Sequence, residues 1–325
     1  MGARILASGS SLPKRCVTND ELASMLDTSD EWIVQRTGIK TRFLLDDGEE
    51  PSSLAVEACR RALADAGVPS SGVDLLIVAT NFPDMICPGS APFVAAGLGL
   101  GQTPFFDLTA GCTGFVYGLV VADGLIRSGL HDRVLLVGLE ALSRVTDWKD
   151  RRTCVLFGDG AGAVLLGKGP AGGGVLGSAL HGDHEKLLLL HLPAGGTRTP
   201  ASSETVEHRD HYLKMEGAGV FRSAVPMMER STLEALKVAG IGLDAVDWVI
   251  PHQANIRIID SLTHRLRIDP ERVIVNLDRV ANTSTASIPI ALDEALRSKK
   301  IHRGDIVVLT AFGAGATYGA VVLRI

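Results

Sequence analysis

The stretch Phe105-Phe106-Asp107-Leu108-Thr109-Ala110-Gly111-Cys112-Thr113-Gly114-Phe115 decides the fold of this chain. The apolar run 105–108 predicts a buried strand, the small residues 109–111 a tight turn, and the mostly uncharged run 113–126 a buried helix. Cys112 then lies at the N-terminus of that helix, where unpaired backbone N–H groups and the helix dipole favour a thiolate. The same N–H groups are able to bind an oxyanion beside the sulfur. For an isolated cysteine, a small buried side chain is the simpler interpretation. The rest of the chain must therefore decide between this interpretation and a reactive thiolate.

The composition is that of a globular protein with a sizeable core. The 325 residues are 46% hydrophobic and 21% charged, and the net charge of −5 gives no indication of nucleic-acid binding. The five cysteines have no CxxC spacing, which argues against a disulfide framework or a metal site and fits a reducing, cytoplasmic setting. No apolar run approaches the roughly 18 residues of a membrane span, and no signal peptide is indicated.

The second half of the chain repeats the first at an offset of 173 residues. Ala62-Leu63-x-x-Ala66-Gly67 recurs as Ala235-Leu236-x-x-Ala239-Gly240, and the same offset places Cys112 opposite Thr285. One shared offset, far too long for a solenoid, predicts an α/β fold of two similar halves. Each half is expected to be a mostly parallel sheet covered by helices. The predicted halves are residues 1–170 and 171–325.

Two polar motifs are expected to meet Cys112. His252, in Pro-His-Gln-Ala-Asn, directly follows the apolar strand 246–250, and open α/β sheets place their sites at the carboxyl ends of strands. Asn282 lies in the second half's counterpart of the Cys112 turn, although by itself it would be interpreted as a turn or N-cap residue. The Gly-rich loop 313–315 lies between two strands and is able to bring a backbone N–H to the same pocket. It lacks the G-x-G-x-x-G pattern of a dinucleotide site.

In combination, these motifs resemble those of the β-ketoacyl-acyl-carrier-protein (ACP) synthase III family. The motifs around Cys112, His252 and Asn282 are similar to the family's catalytic triad. The stretch 27–39, DTSDEWIVQRTGI, and the stretch 157–162, FGDGAG, are similar to two further family motifs. The resemblance covers essentially the whole chain. It implies a thiolase-like fold, in which two similar halves form a five-layered α/β/α/β/α arrangement, usually as a homodimer.

The resemblance implies a decarboxylative condensation that initiates fatty acid synthesis. The Cys112 thiolate takes the acyl group from an acyl-CoA primer, CoA leaves and malonyl-ACP enters. His252 and Asn282 donate hydrogen bonds to the malonyl thioester oxygen, which stabilises the enolate that forms as CO2 leaves. The carbanion attacks the acyl-cysteine, whose oxyanion is held by backbone N–H groups of Cys112 and of the loop 313–315. The product is a β-ketoacyl-ACP, and neither a cofactor nor a metal is implied.

By motif position, the resemblance also implies binding roles. Trp32 and Arg151 are expected to hold the CoA adenine between them. The other residues implied to contact CoA are Thr28, Arg36 and Asn255. The residues implied to contact the acidic ACP are Arg222 and Arg257. The residues implied to line the acyl pocket are Cys87, Leu142 and Phe157, and those implied to form the oxyanion loop are Gly313, Ala314 and Gly315.

Three departures from the family pattern leave the substrate open. Cys87 stands where many relatives place a Phe that closes the acyl pocket across the dimer, so we expect the pocket to be longer or differently shaped. Ala281 replaces the usual Gly before Asn282, and Ala314 with Tyr318 alters the usual Gly-Gly-Gly…Trp pattern. Arg152 beside Arg151 makes the assignment of the CoA-phosphate contact ambiguous. The alternative function is that of a related synthase III-like condensing enzyme or acyltransferase of secondary metabolism, which keeps the same triad.

Other classes fit the sequence less well. A thiolase would need a second reactive cysteine near the C-terminus, and no cysteine follows Cys154. A Cys-His-Asn hydrolase would use the same trio and would release a free acid. A non-catalytic binding protein would tolerate the loss of Cys112 or His252, yet both stand inside full motifs.

Overall fold

The structure, a computed structural model, describes residues 2–170 and 172–325. Its strands are β1 (Ala3–Ser11), β2 (Arg15–Thr18), β3 (Thr41–Leu44), β4 (Leu75–Ala79), β5 (Phe105–Leu108), β6 (Arg133–Ala141), β7 (Asp159–Lys168), β8 (Gly174–Gly182), β9 (Leu190–His191), β10 (Lys214–Met215), β11 (Trp248–Pro251), β12 (Ile306–Phe312) and β13 (Thr317–Arg324). Its α-helices are α1 (Asn19–Ala23), α2 (Asp30–Thr37), α3 (Pro51–Ala66), α4 (Ala91–Leu98), α5 (Gly114–Arg127), α6 (Ser203–Glu207), α7 (Gly217–Ala239), α8 (Ile256–Leu266), α9 (Leu277–Val280) and α10 (Ser287–Arg297).

Two mixed sheets form the frame. The first has the strand order β1-β7-β6-β4-β5, and the second has the order β8-β13-β12-β11. In the first sheet β4 is parallel to β5 and β6, whereas β7 is antiparallel to β6 and β1. In the second sheet β11 is parallel to β12, and β13 is antiparallel to β12 and β8. The sheets therefore match strand for strand, except that β5 has no counterpart among the described strands.

Sheets and helices stack in five layers. Helices α3 and α4 pack on the outer face of the first sheet, and α7 packs on the outer face of the second. Between the sheets lie α5 and α10, whose apolar residues join both inner faces in the largest core cluster. Among them are Phe115 and Leu119 of α5 and Ile288 and Leu292 of α10, all nearly inaccessible to solvent. This order confirms the predicted α/β/α/β/α arrangement.

The internal repeat is confirmed at the level of elements. The offset of 173 residues relates the first residues of α5 and α10, of β6 and β12, and of β4 and β11. Helices α3 and α7 end at the same offset. The predicted boundary between residues 170 and 171 falls between β7 and β8. Residue 171 lies outside the described residues, and the division into two domains stays a prediction.

Strand β5 forms where expected, but its predicted burial is wrong. Phe105 and Phe106 are 43% and 38% exposed, because β5 is the edge strand of its sheet. An apolar run alone does not distinguish a central strand from an edge strand whose apolar side chains are exposed. The sequence also missed β8, in a Gly-rich stretch, and α6, within the segment 194–211 that was expected to be a loop.

None of the described helices has both the length and the apolar character needed to cross a membrane.

Candidate active site

The Cys112 turn is packed backbone to backbone against the loop that follows β12. A Cβ atom on Gly111, whose φ is +60°, would lie 2.5 Å from the Ala314 nitrogen. A Cβ atom on Gly313 would lie 2.4 Å from the Cys112 nitrogen. Both positions therefore require glycine. The two halves of the chain meet at the cysteine with no side chain between them.

The Cys112 thiol is buried at the N-terminal end of α5, as predicted. Its sulfur lies 3.3 Å from the Ser284 hydroxyl oxygen, and the backbone N–H groups of Ala314 and Cys112 also point toward it. Burial raises the pKa of the thiol to about 11, although these hydrogen bonds act in the opposite direction. Burial therefore opposes the thiolate that the helix terminus favours. The free protein holds a protonated thiol near neutral pH, so the reaction must include its deprotonation.

His252 is fixed in its neutral form at the end of β11. Its backbone N–H donates to the Thr310 carbonyl at 2.8 Å, and its Nδ1 lies 2.7 Å from the Ser287 hydroxyl oxygen. Burial lowers the pKa of His252 to about 4, so the ring is neutral near pH 7. The Ser287 oxygen also accepts from the Gln253 N–H at 3.4 Å, which leaves the Ser287 hydrogen for Nδ1. In that arrangement the Nε2–H remains as the donor that faces the pocket, which suits the donor role implied by the resemblance.

Asn282 is held by its backbone and oriented by its own amide. Its N–H donates to the Leu156 carbonyl and its carbonyl accepts from the Gly158 N–H, each at 3.0 Å. The Oδ1 atom accepts from the Ser284 N–H at 2.9 Å. This bond assigns the orientation of the amide. The Nδ2 hydrogens are thereby left to donate into the pocket, which is the role predicted from the sequence.

Ala281, immediately before Asn282, occupies a backbone conformation that is almost restricted to glycine. Its φ is 63° and its ψ is −164°, a region that costs a residue with a Cβ roughly 1–3 kcal/mol. This is the position at which the sequence departs from the family's usual Gly. The backbone before Asn282 therefore keeps a conformation suited to glycine, and the alanine at position 281 strains it.

The substitution Ala281→Gly is expected to stabilise the protein by about 1 kcal/mol, because relief of strain exceeds the added entropy of the unfolded chain. Urea unfolding, read as the midpoint at constant slope, measures the change. The matched control is Ala286→Gly, since Ala286 is equally buried but has φ −80° and ψ −16°. That variant should lose up to about 1 kcal/mol. A lower midpoint for Ala281→Gly would contradict the strain argument.

One cavity of about 620 Å³ unites the three predicted catalytic residues with part of the predicted binding set. Cys112, His252 and Asn282 are among its buried residues, whereas Arg36 lies at its exposed rim. The cavity therefore leads from a charged opening to the reactive sulfur. The other predicted residues that line it are Trp32, Phe157, Arg222, Asn255, Arg257 and Gly313.

Six predicted residues do not line this cavity: Thr28, Cys87, Leu142, Arg151, Ala314 and Gly315. Leu142 packs behind Phe157 in the same apolar cluster, so it supports the wall without forming it. Cys87 is exposed on the loop before α4. Ala314 belongs to the site through its backbone N–H and not through its side chain.

At the predicted adenine site, two arginines lie over the Trp32 ring, whereas the sequence predicted one, Arg151. The Arg151 guanidinium carbon lies 5.3 Å from the centre of the Trp32 ring, and that of Arg36 lies 4.7 Å from it. Arg151 also donates to the backbone and carboxylate of Asp27. Arg152, not Arg151, lines the cavity. A purine ring that stacks on Trp32 would have to enter between the Trp32 ring and the guanidinium of Arg36 or Arg151. Both of these arginines therefore remain candidates for the second face of the adenine site.

Four supporting residues of the site were missed by sequence reasoning: Asn81, Glu140, Ser284 and Ser287. Ser284 and Ser287 stand inside the Asn282 motif, but nothing in a motif says which hydroxyl faces a sulfur. Glu140 is the one acidic residue of β6 and is completely buried. A single carboxylate in a strand that is otherwise apolar after Arg133 was a usable signal, because carboxylates are rarely buried without partners.

Comparisons with known proteins agree with this geometry. Residues 106–184 match the family described as 3-oxoacyl-[acyl-carrier-protein] synthase III, and residues 236–325 match its C-terminal family. The β-ketoacyl-[acyl-carrier-protein] synthase III of Caldanaerobacter subterraneus subsp. tengcongensis is 48% identical, covering 100% of this chain and 98% of the relative. That of Rhizorhabdus wittichii is also 48% identical, covering 99% of each chain.

Solved structures give the same result. The 3-oxoacyl-[acyl-carrier-protein] synthase III from Aquifex aeolicus VF5 superposes with a TM-score of 0.92 at 42% identity, covering 100% of both chains. The priming β-ketosynthase from the R1128 polyketide biosynthetic pathway has a TM-score of 0.91 at 36% identity, covering 100% of this chain and 96% of the other. With nearly half of all residues identical to curated relatives over the full length, the chain belongs to the β-ketoacyl-acyl-carrier-protein synthase III family.

Proposed function

We propose that the chain catalyses the decarboxylative condensation of an acyl-CoA primer with malonyl-ACP, which gives β-ketoacyl-ACP and CO2 and initiates fatty acid synthesis. Membership of the family makes the chain an acyltransferase. The observation that carries the proposal is the meeting of a buried thiol, a neutral imidazole and an oriented amide in one cavity beside two backbone N–H donors.

In the first step the Cys112 sulfur attacks the thioester carbonyl of the acyl-CoA. The oxyanion that forms beside the sulfur is within reach of the backbone N–H groups of Cys112 and Ala314, which already face the sulfur in the free protein. Donors that are fixed before the reaction cost no reorganisation, and removing one of this kind typically raises the barrier by about 3 kcal/mol. Collapse of the intermediate expels CoA and leaves the acyl group on Cys112.

In the second step His252 and Asn282 bind the malonyl thioester oxygen. Both are neutral donors at the thioester oxygen, so they bind the enolate, which carries negative charge on that oxygen, more strongly than the uncharged thioester. A protonated imidazole would instead pair with the malonyl carboxylate and hold it in the ground state. The low pKa of His252, about 4, is therefore useful for decarboxylation. The resulting carbanion attacks the acyl-Cys112 carbonyl.

The rim of the cavity supports the proposed partners. Trp32 offers a face for the CoA base, and Arg36, Arg152 and Asn255 offer donors for its phosphates and pantetheine. Arg222 and Arg257 are exposed beside the opening, where an acidic carrier protein would dock. A local group of arginines suits such a partner on a chain whose net charge is −5.

Charge reversal at this rim is expected to weaken the use of malonyl-ACP. The double variant Arg222→Glu and Arg257→Glu should raise KM for malonyl-ACP by roughly tenfold and leave acyl loading from acyl-CoA within about twofold. The effect should shrink as salt is raised above about 0.1 M, because screening then acts within the docking distance. Arg60→Glu, on the outer face of α3, is the matched control. An unchanged KM would place the ACP surface elsewhere.

The proposal includes no resident cofactor, a cytoplasmic location and a homodimer. All five cysteines are free, as in a reducing compartment. The edge strand β5 exposes Phe105 and Phe106, and Met85 and Ile86 expose apolar side chains nearby in the chain, at 53% and 84%. Apolar side chains on an unpaired strand favour burial against a second copy. In the dimer that the resemblance implies, Cys87 takes the place of the Phe that closes the acyl pocket across the dimer.

The test is intact-protein mass spectrometry with a panel of acyl-CoAs, followed by a chase with malonyl-ACP. The proposal requires that an acyl mass appears on Cys112 and is lost as β-ketoacyl-ACP forms. Loss of the acyl group as free acid, with or without malonyl-ACP, would make the chain a hydrolase.

A second candidate is a priming condensation in secondary metabolism. It is favoured by the 36% identity, over the whole chain, to the priming β-ketosynthase of the R1128 polyketide pathway. The small Cys87 side chain, where a Phe is common, also suits an unusual primer. The same acyl-CoA panel separates the two candidates: preferential loading of a primer that fatty acid synthesis does not use supports the second.

A further inference from the structure

Glu140 is a completely buried carboxylate next to the nucleophile, and the mechanism above does not use it. It lies near the end of β6, and its Oε1 atom is 3.2 Å from the Ser284 hydroxyl oxygen. The same hydroxyl oxygen lies 3.3 Å from the Cys112 sulfur. A continuous path of two hydrogen bonds thus connects the thiol to a buried base.

The hydrogens available in this cluster fit one arrangement. Asn81 uses its two Nδ2 hydrogens for Glu140 Oε1, at 2.5 Å, and for the Ser284 oxygen, at 3.2 Å. Ser284 has one hydrogen and two lone pairs. If that hydrogen goes to Glu140 Oε1, the Ser284 oxygen is left to accept from Asn81 and from the Cys112 thiol, so the hydrogens of Asn81 Nδ2, Ser284 and Cys112 all have an acceptor. The thiol proton then points along the path to the carboxylate.

The carboxylate also has room for a proton. Its Oε2 atom is buried and has no hydrogen-bond partner among the residues that the structure describes. All of its described donors converge on Oε1, including the Asn81 N–H at 3.2 Å and the Thr285 hydroxyl at 3.2 Å. An anion with one bare oxygen in a buried site is costly, which favours uptake of a proton by the carboxylate, and the path from Ser284 delivers that proton to Oε1.

We propose that Glu140, acting through the Ser284 hydroxyl, accepts the Cys112 thiol proton when the acyl group is loaded and returns it when condensation releases the sulfur. The inference deepens the proposed function and rests on it for the acyl-transfer steps. During loading, the S–H bond breaks as the sulfur attacks, Ser284 passes its own hydrogen to Glu140 and takes that of Cys112, and CoA leaves as a thiolate that solvent protonates. During condensation, the carbanion displaces the sulfur, and the proton returns along the same path.

The ionisation of the neighbouring groups agrees with this direction. Burial raises the pKa of Glu140 to about 7, against the hydrogen bonds from Asn81, Ser284 and Thr285. His252, with a pKa of about 4, is the weaker buried base, and its Nδ1 is occupied by Ser287. Transfer from a thiol of pKa about 11 remains uphill, so the proton moves as the sulfur attacks and not before it.

The other titratable and charged groups around β6 are engaged elsewhere. On β7, Asp159 accepts from Ser143 and from the Leu45 N–H on the opposite face of the sheet. Cys59 of α3 lies in the outer core cluster. The remaining partners on α3, α5 and α10 are Glu57 with Arg61, Arg60 with the Gly97 carbonyl, Asp123 with Arg127, Tyr117 with the His181 carbonyl, Asp293 with Arg297, and Glu294 with Arg279. Asp65, Arg133 and Lys168 are exposed.

The test measures the reactivity of Cys112 against pH in the wild type and in Glu140→Gln, by two readouts. One is alkylation by iodoacetamide, followed at Cys112 by peptide mass spectrometry, and the other is acyl loading from an acyl-CoA. In the wild type both rates should rise up to about pH 7, where Glu140 ionises, and then level off. In Glu140→Gln both rates should fall roughly 100-fold at pH 8 and rise in proportion to hydroxide toward pH 11.

Ser284→Ala tests the path while keeping the carboxyl group of Glu140, which loses one of its hydrogen bonds. It should show the same altered profile as Glu140→Gln, and the double variant should be no slower than either single variant, because both changes break one relay. Asp159→Asn, which neutralises another buried carboxylate of the first sheet, should keep the wild-type profile and control for loss of stability.

Two results would overturn the relay. One is a Glu140→Gln profile that keeps its plateau, even at a lower rate, and the other is a Ser284→Ala variant with wild-type rates. Failure of the proposed function looks different. In that case no acyl-CoA loads in any variant, while the alkylation profiles still report on the relay.

Discussion

Substitution of Cys112 by Ala is expected to abolish acyl loading completely and to leave decarboxylation of malonyl-ACP measurable. The two functions separate because the sulfur is the attacking atom of the first step, whereas the enolate of the second step is stabilised by His252 and Asn282. Neither of these side chains is hydrogen-bonded to Cys112: His252 is held by Ser287, and Asn282 by Ser284 and its own backbone. Removal of the sulfur therefore leaves the donors in place.

The measurement is release of CO2 from carboxyl-labelled malonyl-ACP, alongside mass spectrometry of the protein after incubation with acyl-CoA. The expected product of Cys112→Ala is acetyl-ACP, since the carbanion finds no acyl acceptor and takes a proton. Cys154→Ala is a useful control, because Cys154 is also buried but lies in the cluster of Leu142 and Phe157 and does not line the cavity. It should load acyl groups normally. Acylation of the Cys112→Ala protein would place the nucleophile elsewhere.

Substitution of His252 by Ala is expected to give the opposite result. The variant should still become acylated at Cys112, within about tenfold of the wild-type rate, while condensation falls by roughly 1,000-fold. The reason is that His252 supplies a neutral Nε2–H at the malonyl thioester oxygen and is not needed as a base when its pKa is about 4. Asn282→Ala should behave in the same way, because its Nδ2 donates to the same oxygen.

Single-turnover experiments resolve these steps: the acyl-enzyme is formed first, freed of CoA, and then mixed with malonyl-ACP. Ser287→Ala is the graded control, since it keeps the imidazole but removes the hydroxyl that fixes Nδ1 as the acceptor. Its condensation rate should fall about tenfold, well short of the loss for His252→Ala. If His252→Ala stopped acyl loading, the imidazole would be the base of the first step, and both the donor role and the Glu140 relay would be wrong.

The sequence predicted the architecture well because the fold is duplicated. A pattern that recurs at one offset constrains every helix and strand twice, and α5, α10, β6 and β12 begin where that offset requires. The burial of β5 could not be predicted in the same way. Phe105 and Phe106 read as core residues, and whether an apolar strand lies inside a sheet or at its edge is decided by the strands that pair with it.

The three catalytic candidates were also predictable, because each is a reactive residue at the end of a predicted strand or the start of a predicted helix. Their ionisation states were not. The sequence suggests a thiolate at a helix terminus, whereas burial gives Cys112 a pKa of about 11. Ser284 and Glu140, which we propose accept the proton of this high-pKa thiol, lie 144 positions apart in the chain. Local sequence carries no sign of such a contact, so only the packing of the two halves reveals it.

Thr285, the counterpart of Cys112 in the second half, shows how the two copies of the turn differ. Its hydroxyl lies 3.1 Å from the Ala79 carbonyl, 3.2 Å from the Leu139 carbonyl and 3.2 Å from Glu140 Oε1, so it is enclosed by acceptors of the first half. A hydroxyl bound in this way braces the strands that flank the nucleophile and is not free to attack. The two copies of the turn thus differ in role: the first carries the proposed nucleophile and the second supports it. Titration with a good primer should therefore stop at a single acyl group per chain.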